Sequence, residues 1–198
     1  MDRIRYLVGV LLVVSLPPAV VWWFVVHPFV GFWRRVGAKP AVWAVGIMMT
    51  AGMVGLWFIR RPLVGRDLGT HWILIALGAV FLCLAFYLGM RRRKQLTMRI
   101  LSGLPELQAD GKGGELLTGG VYAHVRHPRY VEVVVGVFGY AALANHVGAW
   151  ITAVALLPAI HLVVILEERE LSRRFGTEYE AYRARVPRYL PRRPTPTP

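Results

Sequence analysis

The sequence contains almost no cysteine. Cys83 is the only one among 198 residues, and it lies within an apolar run. A disulfide needs two cysteines, and a structural zinc site is usually built from several. Both are therefore excluded, and the histidines show no spacing typical of a metal site, so no bound metal is expected.

Acidic residues are also scarce, and polar residues are too few to coat a soluble domain of this length. The chain is 56% hydrophobic, and 24 lysines and arginines face only 11 aspartates and glutamates, which gives a net charge of +13. Such a charge indicates an anionic partner. Because the basic residues adjoin long apolar segments, we expect membrane lipids as partners and no nucleic acid.

Four apolar stretches can each cross about 30 Å of hydrocarbon, since a helix rises about 1.5 Å per residue. They cover residues 4–26, 41–59, 72–90 and 147–166. A fifth stretch, 130–144, reaches a plausible length only if its helix starts at Pro128, a favoured first-turn residue. The sequence therefore predicts an all-α polytopic integral membrane protein with about five transmembrane helices.

The distribution of basic residues predicts the orientation of the chain. With five crossings, residues 27–40, 91–129 and the C-terminal tail share one side of the membrane. The other side holds only five of the 24 basic residues, namely Arg3, Arg5, Arg60, Arg61 and Arg66. We expect a multi-pass cell-membrane protein with a cytoplasmic C-terminus, or an endoplasmic reticulum protein if the source is eukaryotic. The run 91–94 is interpreted as an anchor of the third span.

The C-terminal tail carries an apolar stripe of helical periodicity. Its members are Leu171, Phe175, Tyr179, Tyr182 and Val186. Gly176 fits a helix C-cap, and Thr177 with Glu180 fits a capping box, so two short helices are predicted to meet at Gly176. The tail is therefore an amphipathic helical segment.

Two polar segments adjoin the predicted spans on the cytoplasmic side, at residues 113–132 and 167–174. The first is a glycine-rich loop that runs into a helix at Pro128, with His127 just before it. Glycine permits close approach of a ligand to the backbone, and a helix N-terminus suits a carboxylate. We expect the two segments to form one site.

Several short motifs follow one another in these segments: Gly120-Val121-Tyr122, Arg126-His127-Pro128-Arg129-Tyr130, Glu167-Glu168, Phe175-Gly176-Thr177-Glu178-Tyr179 and Arg185-Val186-Pro187. In this combination, residues 107–191 resemble the isoprenylcysteine carboxyl methyltransferases and the related phospholipid methyltransferases. The resemblance implies a methyltransferase that uses S-adenosylmethionine and acts on a lipid-like or small apolar acceptor, with O-methylation of an isoprenylcysteine-like carboxylate as the family reaction.

The resemblance also implies the cofactor-binding residues, which are Glu115, Leu116, Leu117, Tyr122, His127, Pro128, Arg129, Tyr130 and Glu167. Their chemistry agrees with this role. His127 and a helix N-terminus suit the cofactor carboxylate, a tyrosine ring suits adenine or sulfonium, and Glu167 can accept hydrogen bonds from ribose or amino groups. Methyl transfer needs no nucleophile from the protein, so we assign no catalytic residue.

The acceptor is less defined because the chain departs from the family pattern. Val163 replaces a substrate-contacting arginine, and Gly114 replaces a histidine. Glu132 stands where a small residue is usual, and His161 is an ionisable residue in an apolar stretch, where such residues are costly and often functional. Both are candidate substrate-binding residues. N-methylation of a phospholipid or amine and S-methylation of a thiol remain alternatives.

Simpler roles compete with these assignments. His127 can merely cap a helix, Glu132 can merely stabilise a helix N-terminus by about 0.3–1 kcal/mol, and His161 can bond a carbonyl freed by Pro158. Glu167 and Glu168 can pair with neighbouring arginines on a solvated helix. Two other classes of protein stay open, a nicotinamide-dependent membrane reductase and a non-catalytic protein that binds acidic lipid.

These interpretations divide the chain into three parts. Residues 1–93 form the N-terminal transmembrane helices. Residues 94–191 form the catalytic region, with the cofactor loop, a helical hairpin and the C-terminal helices. Residues 192–198, in which Thr and Pro alternate, form a disordered tail. The sequence predicts no particular oligomeric state.

Overall fold

The computed structural model describes residues 1–26, 29–93 and 116–191, and over these residues the chain is helical and forms no β-strand. This confirms the all-α prediction. The α-helices are α1 (Asp2–Val26), α2 (Val30–Val36), α3 (Ala38–Phe58), α4 (Arg60–Val64), α5 (Trp72–Arg93), α6 (Pro128–Ala144), α7 (Val147–Phe175) and α8 (Thr177–Arg185). The predicted disordered tail, 192–198, lies outside the described residues.

Four helices in the described ranges are long and apolar enough to cross a membrane, namely α1, α3, α5 and α7. They coincide with the four long apolar stretches, and they confirm a polytopic membrane protein. The fifth predicted crossing is also a helix, α6, and it begins at Pro128 as expected. Its 17 residues span about 25 Å, which is shorter than the other four.

The outer surface of the bundle is apolar. Trp43 and Phe58 on α3 are 74% and 78% exposed, and Ile73 and Phe86 on α5 are 76% and 69% exposed. Water-soluble proteins rarely expose a continuous surface of large apolar side chains. These faces of α3 and α5 therefore contact lipid.

The core lies between α1, α6 and α7. Leu12 of α1, Val137 of α6 and Leu156 and Val164 of α7 are buried together in one cluster. The most extensive helix pairing joins α5 to α6. Glycine makes this pairing close, because a Cβ atom added to Gly78 would lie only 2.9 Å from the carbonyl oxygen of Gly139.

The α6–α7 hairpin is held at one end of the bundle by the loop that follows α4. Asn145 adopts a left-handed conformation with φ 47°, and its side-chain amide donates to the Gly69 carbonyl at 2.9 Å. The Asn145 carbonyl accepts a hydrogen bond from the Leu68 amide at 3.0 Å. Arg5, which is buried, pairs with Asp67 in the same loop. Only Asn145 and His146 therefore separate α6 from α7.

The C-terminal helices meet at Gly176, as predicted. Here the backbone turns with φ 51°, a conformation that glycine adopts without strain. However, α7 is one continuous helix of 29 residues that extends past the apolar stretch to Phe175. The predicted capping box is wrong, because Gly176 rather than Thr177 precedes α8 and Glu180 accepts a hydrogen bond from the Ser172 hydroxyl at 2.7 Å.

The predicted apolar stripe of the tail forms a small core of its own. Tyr179, Tyr182 and Val186 are buried, and Leu171 and Phe175 pack against them. The stripe therefore attaches α8 and the residues after it to the end of α7.

Candidate functional site

The two polar segments meet at the start of α6. His127, which is only 4% exposed, lies between two carboxylates at the end of α7. Its Nε2 atom is 3.1 Å from Glu168 Oε1, and its Nδ1 atom is 3.6 Å from Glu167 Oε2. The pairing of residues 113–132 with residues 167–174 that we expected is therefore present for their described parts.

Glu168 is the centre of a buried ionic cluster. Its Oε1 atom accepts hydrogen bonds from Arg126 Nη2 at 2.9 Å and from Arg188 Nε at 3.0 Å. Its Oε2 atom accepts one from Arg188 Nη2 at 2.6 Å. The hydrogen bonds to Glu168 raise the pKa of Arg188. Removal of a carboxylate from water is costly unless charged donors satisfy it, and here two guanidinium groups do so.

The chain after α8 closes over His127. The backbone amides of Arg126 and His127 donate to the carbonyls of Pro187 and Arg188, at 2.9 and 3.2 Å. The Arg126 Nη1 atom donates to the Arg183 and Val186 carbonyls, at 2.8 and 2.9 Å. The amphipathic tail therefore positions the motif that contains His127 against the end of α7.

Tyr122 lies in a short 3-10 helix, Gly120–Ala123, ahead of α6. Its carbonyl accepts a hydrogen bond from the Tyr182 hydroxyl at 2.8 Å. Burial raises the pKa of Tyr122 to about 12, and the charges of Arg92, Glu167, Arg129 and Glu132 also act on its hydroxyl. The Tyr122 side chain therefore lies among charged groups from α5, α6 and α7, and it is neutral at physiological pH.

An aromatic wall borders the same region. The ring of Tyr130, which is buried, lies 5.8 Å from the His127 ring and 5.9 Å from the ring of Trp23 on α1. The guanidinium group of Arg129 lies over the Trp23 ring at 4.5 Å. Helix α1 thus contributes to a site that the sequence placed entirely in the C-terminal half.

The remaining predicted cofactor residues lie nearby or beyond the described ranges. Pro128 is buried as the first residue of α6. Leu116 packs against the cluster of Tyr179, Tyr182 and Val186. Leu117, the next residue in the sequence, is half-buried. Glu115 falls outside the described residues.

Glu132 forms an ion pair with Arg92 of α5. Arg92 Nε donates to Glu132 Oε2 at 2.8 Å, and Arg92 Nη2 donates to Oε1 at 3.3 Å. Arg92 is buried, so the interpretation of the run 91–94 as a simple membrane anchor is wrong for this residue. The charge of Glu132 is compensated within the protein by Arg92. Stabilisation of the N-terminus of α6 is therefore not its only role.

His161 is linked to the site through Tyr189. The His161 Nδ1 atom is 3.0 Å from the Tyr189 hydroxyl, and the Tyr189 ring lies 6.5 Å from the His127 ring. The side chain of His161 is thus hydrogen-bonded to a tyrosine hydroxyl and not to a carbonyl freed by Pro158. His161 itself is on the exposed side of α7.

Two of the simpler roles are not supported by this geometry. The His127 side chain makes no capping hydrogen bond to α6. Glu168 pairs with Arg126 and Arg188, which are far away in sequence, rather than with its neighbours on a solvated helix.

Sequence reasoning missed several residues of the site. Arg126 and Glu168 adjoin predicted residues and belong to the quoted motifs, so a search for a buried partner of the Glu-Glu pair could have found them. Arg188 lies directly after the quoted Arg185-Val186-Pro187. Trp23 and Arg92 carry no local signal, because only tertiary packing brings them to the site.

One atom of the site indicates a ligand. Glu167 Oε2 is buried, and it has no hydrogen-bond partner in the part of the chain that the structure describes. Buried carboxylate oxygens are normally satisfied, and this one is suited to accept from a hydroxyl or ammonium group. The same part of the chain contains no group of three histidine, cysteine, aspartate or glutamate side chains arranged to hold a metal ion. The arrangement therefore suits an organic ligand that carries amino or hydroxyl groups and a cationic centre beside aromatic rings.

Comparison with known proteins agrees with this description. The sequence model of the phospholipid methyltransferase family matches residues 73–178, which are 106 of the 198 residues. The protein-S-isoprenylcysteine O-methyltransferase of Schizosaccharomyces pombe is 33% identical over 114 residues, which cover 56% of this chain and 47% of that protein.

A second relative is the nickel-cobalt-cadmium resistance protein NccN of Alcaligenes xylosoxydans xylosoxydans. It is 38% identical over 82 residues, which cover 41% of this chain and 38% of that protein. The chain thus spans less than half the length of these two curated relatives. No solved structure matches the chain.

Proposed function

Because this chain belongs to the phospholipid methyltransferase family, we propose that it is a membrane enzyme that transfers a methyl group from S-adenosylmethionine to a lipid-like or small apolar acceptor. The observation that carries the proposal is the position of His127 between Glu167 and Glu168, which unites the two polar segments in one buried site. The printed name of the Schizosaccharomyces pombe relative supports the same reaction class.

In this proposal the cofactor binds between the start of α6 and the end of α7. Glu167 accepts hydrogen bonds from its hydroxyl or amino groups, since Glu167 Oε2 is buried without a partner among the described residues. The first turn of α6 holds its carboxylate. His127, whose ring nitrogens face Glu167 and Glu168, lines the site beside Glu167. Leu116, Leu117, Tyr122, Pro128, Arg129 and Tyr130 line the same site, and Glu115 is retained as a further proposed contact.

The cofactor supplies, when bound, an electrophilic methyl group on a cationic sulfur. The protein itself orients the two reactants and excludes water from them. Reaction of a cation with an anionic acceptor disperses charge, so a dry site that holds both reactants in line favours it. The buried aromatic rings and the tail that closes over His127 provide such a site.

Glu168, Arg126 and Arg188 act as positioning residues in this account. Glu168 Oε1 accepts a hydrogen bond, so the Nε2 atom of His127 carries a proton in their 3.1 Å contact. This contact fixes the orientation of the ring and leaves Nδ1 directed towards Glu167. The two arginines in turn hold the Glu168 carboxylate in place.

The proposal also covers the chemical class of the methyl acceptor. An isoprenylcysteine-like carboxylate is the first candidate, and a phospholipid amine, a small amine or a thiol is the alternative. Val163, which is buried on α7 one turn before Glu167, offers no charge to an acceptor carboxylate. Glu132, together with Arg92, and His161, together with Tyr189, are the proposed acceptor contacts. We also propose that the site faces the cytoplasm at the cell membrane, or at the endoplasmic reticulum membrane if the source is eukaryotic.

A labelling experiment tests this function and distinguishes the acceptor classes. Membranes that contain the protein are incubated with S-adenosylmethionine carrying a tritiated methyl group, and radioactivity is measured in the organic extract. Treatment with alkali releases volatile methanol from a methyl ester but leaves methyl groups on nitrogen or sulfur in place. We expect labelled lipid-phase product with the wild type and almost none with Glu167→Ala.

Glu178→Ala is the matched control, because Glu178 is an exposed carboxylate on α8 away from the site. It should label the extract as the wild type does. Equal labelling by Glu167→Ala and the wild type would refute the assigned site. A folded wild type that transfers no methyl group to any fraction would refute the proposed function.

A further inference from the structure

A second polar cleft, of about 300 Å³, lies where α7 leaves its apolar part. Arg169 and Arg173 of α7, Arg183 of α8 and Arg188 line it, together with Glu168 and Ile165. This cleft shares Glu168 and Arg188 with the site around His127, but its other arginines take no part in that site. The presence of these arginines in the cleft is therefore not explained by the site around His127.

Positive charge in the cleft exceeds negative charge. Among the described residues that line the cleft, Glu168 is the only acidic one, against four arginines, and its carboxylate already accepts hydrogen bonds from Arg126 and Arg188. Arg183 has a partner outside the cleft, Glu180, at 3.4 Å. Among the described lining residues, the charges of Arg169 and Arg173 are therefore the ones left uncompensated, so an anion is the complementary ligand.

Arg169 and Arg173 are the two arginines available to such a ligand. Both are exposed, and neither forms an ion pair with any residue in the described ranges. They stand four residues apart on α7, where like charges repel each other. The Ser172 hydroxyl, also in the lining, donates to Glu180 at 2.7 Å and adds no negative charge to the cleft.

The same face of α7 continues into the lipid-facing surface. Leu162, Ile165 and Arg169 follow at steps of three and four residues, so they lie in one stripe along the helix. Leu162 is 52% exposed. Seven residues of helix, or about 10 Å, separate it from Arg169. A molecule with apolar chains along Leu162 and Ile165 would bring a polar group to Arg169 and Arg173.

We propose that this cleft binds the phosphate group of an anionic glycerophospholipid from the surrounding bilayer. Guanidinium groups match the geometry of phosphate oxygens with paired hydrogen bonds, and basic residues next to a membrane span attract anionic lipid. The proposal does not depend on methyl transfer, because Arg169 and Arg173 have no role in the site around His127.

Native mass spectrometry of the full-length protein in detergent tests the proposal. The protein is titrated with phosphatidylglycerol or phosphatidylcholine, and the dissociation constant of the first bound lipid is measured. Phosphatidylglycerol should bind the wild type more tightly, and the double variant Arg169→Gln with Arg173→Gln should weaken that binding on the order of tenfold. The double replacement by lysine should retain most of the preference, because it keeps the charge.

The matched control is Arg3→Gln with Arg66→Gln, which removes two exposed arginines at the other end of the bundle. It should bind phosphatidylglycerol as the wild type does. Thermal unfolding of all variants verifies that they are folded. Unchanged phosphatidylglycerol binding by the glutamine variant of Arg169 and Arg173, or equal binding of both lipids by the wild type, would overturn the proposal. Equally tight binding of soluble glycerol phosphate would overturn the assignment to a lipid.

Discussion

At the scale of single residues, the carboxylate of Glu168 connects parts of the chain that are far apart in sequence. It accepts hydrogen bonds from His127, Arg126 and Arg188, and these hydrogen bonds lie in buried or partly buried surroundings. The sequence indicated Glu167 and not Glu168, because the resemblance implied the first glutamate after the last apolar stretch. Both face the site, because His127 lies between them and offers a ring nitrogen to each.

Replacement of Glu168 by glutamine should destabilise the protein. The change leaves the Arg126 and Arg188 guanidinium groups without a compensating carboxylate in a buried position, at a cost of about 3 kcal/mol. Thermal unfolding of the purified protein in detergent measures the effect. Glu180→Gln is the control, since the pair of Glu180 with Arg183 is half exposed and should contribute about 0–1 kcal/mol. Similar unfolding temperatures for both variants would show that the cluster does not hold the site together.

At the scale of the helices, the start of α6 could be predicted but its neighbours could not. Pro128 predicted the start of α6, because proline suits the first turn of a helix. The pairing of α6 with α5 depends on contacts between residues far apart in the sequence, such as Glu132 with Arg92 and Gly139 with Gly78. Hydropathy does not encode which helices are adjacent, so the role of Arg92 was not foreseen.

The pair of Arg92 and Glu132 should behave as a coupled unit. Arg92→Met or Glu132→Leu alone leaves one buried charge without its partner and should destabilise the protein by about 3–5 kcal/mol. The double variant removes both charges and should recover most of that loss. Thermal unfolding of the three variants gives the coupling energy. Additive losses in the double variant would contradict the ion pair.

The contact between α5 and α6 should depend on glycine at specific positions. Gly78→Ala places a Cβ atom 2.8 Å from Leu143 Cγ and 2.9 Å from the Gly139 carbonyl oxygen, so the helices must separate. Gly136→Ala on α6 faces only ordinary contact, 3.5 Å from Ala85 Cβ. We expect Gly78→Ala to lower the unfolding temperature and Gly136→Ala to leave it unchanged or raise it, because alanine favours a helix by about 1 kcal/mol over glycine. Equal effects would argue against this packing.

At the scale of the whole molecule, hydropathy alone predicted the membrane location and four of the helices. It could not predict that α1 packs against α6 and α7 and brings Trp23 to Tyr130, because apolar helices carry little information about their partners. The structure also shows how far the short helix α6 extends along α7. Its first turn adjoins Glu168 near the end of α7, and Asn145 after its last turn adjoins Gly69 at the other end. Helix α6 therefore runs along the apolar part of α7, and a fifth crossing by α6 stays a prediction.

The predicted five crossings would place residue 66 and residue 178 on opposite sides of the membrane, and the predicted orientation puts residue 178 in the cytoplasm. After replacement of Cys83 by alanine, single cysteines introduced as Arg66→Cys and Glu178→Cys can be labelled with a membrane-impermeant maleimide. We expect Arg66→Cys to react in intact cells and Glu178→Cys to react only after permeabilisation. Reaction of both variants in intact cells would indicate an even number of crossings and contradict the predicted orientation.

The proposed function requires that the site between α6 and α7 hold a methyl donor. Isothermal titration of the purified protein in detergent with S-adenosylhomocysteine, the demethylated cofactor, measures this directly. The wild type and Glu178→Ala should bind with equal affinity, and His127→Ala and Glu167→Ala should each bind about tenfold more weakly or worse. Glu167→Ala removes a charge-assisted contact with the ligand, and His127→Ala removes the ring that lies between Glu167 and Glu168. Absence of binding to the folded wild type, or wild-type affinity in Glu167→Ala, would contradict the account.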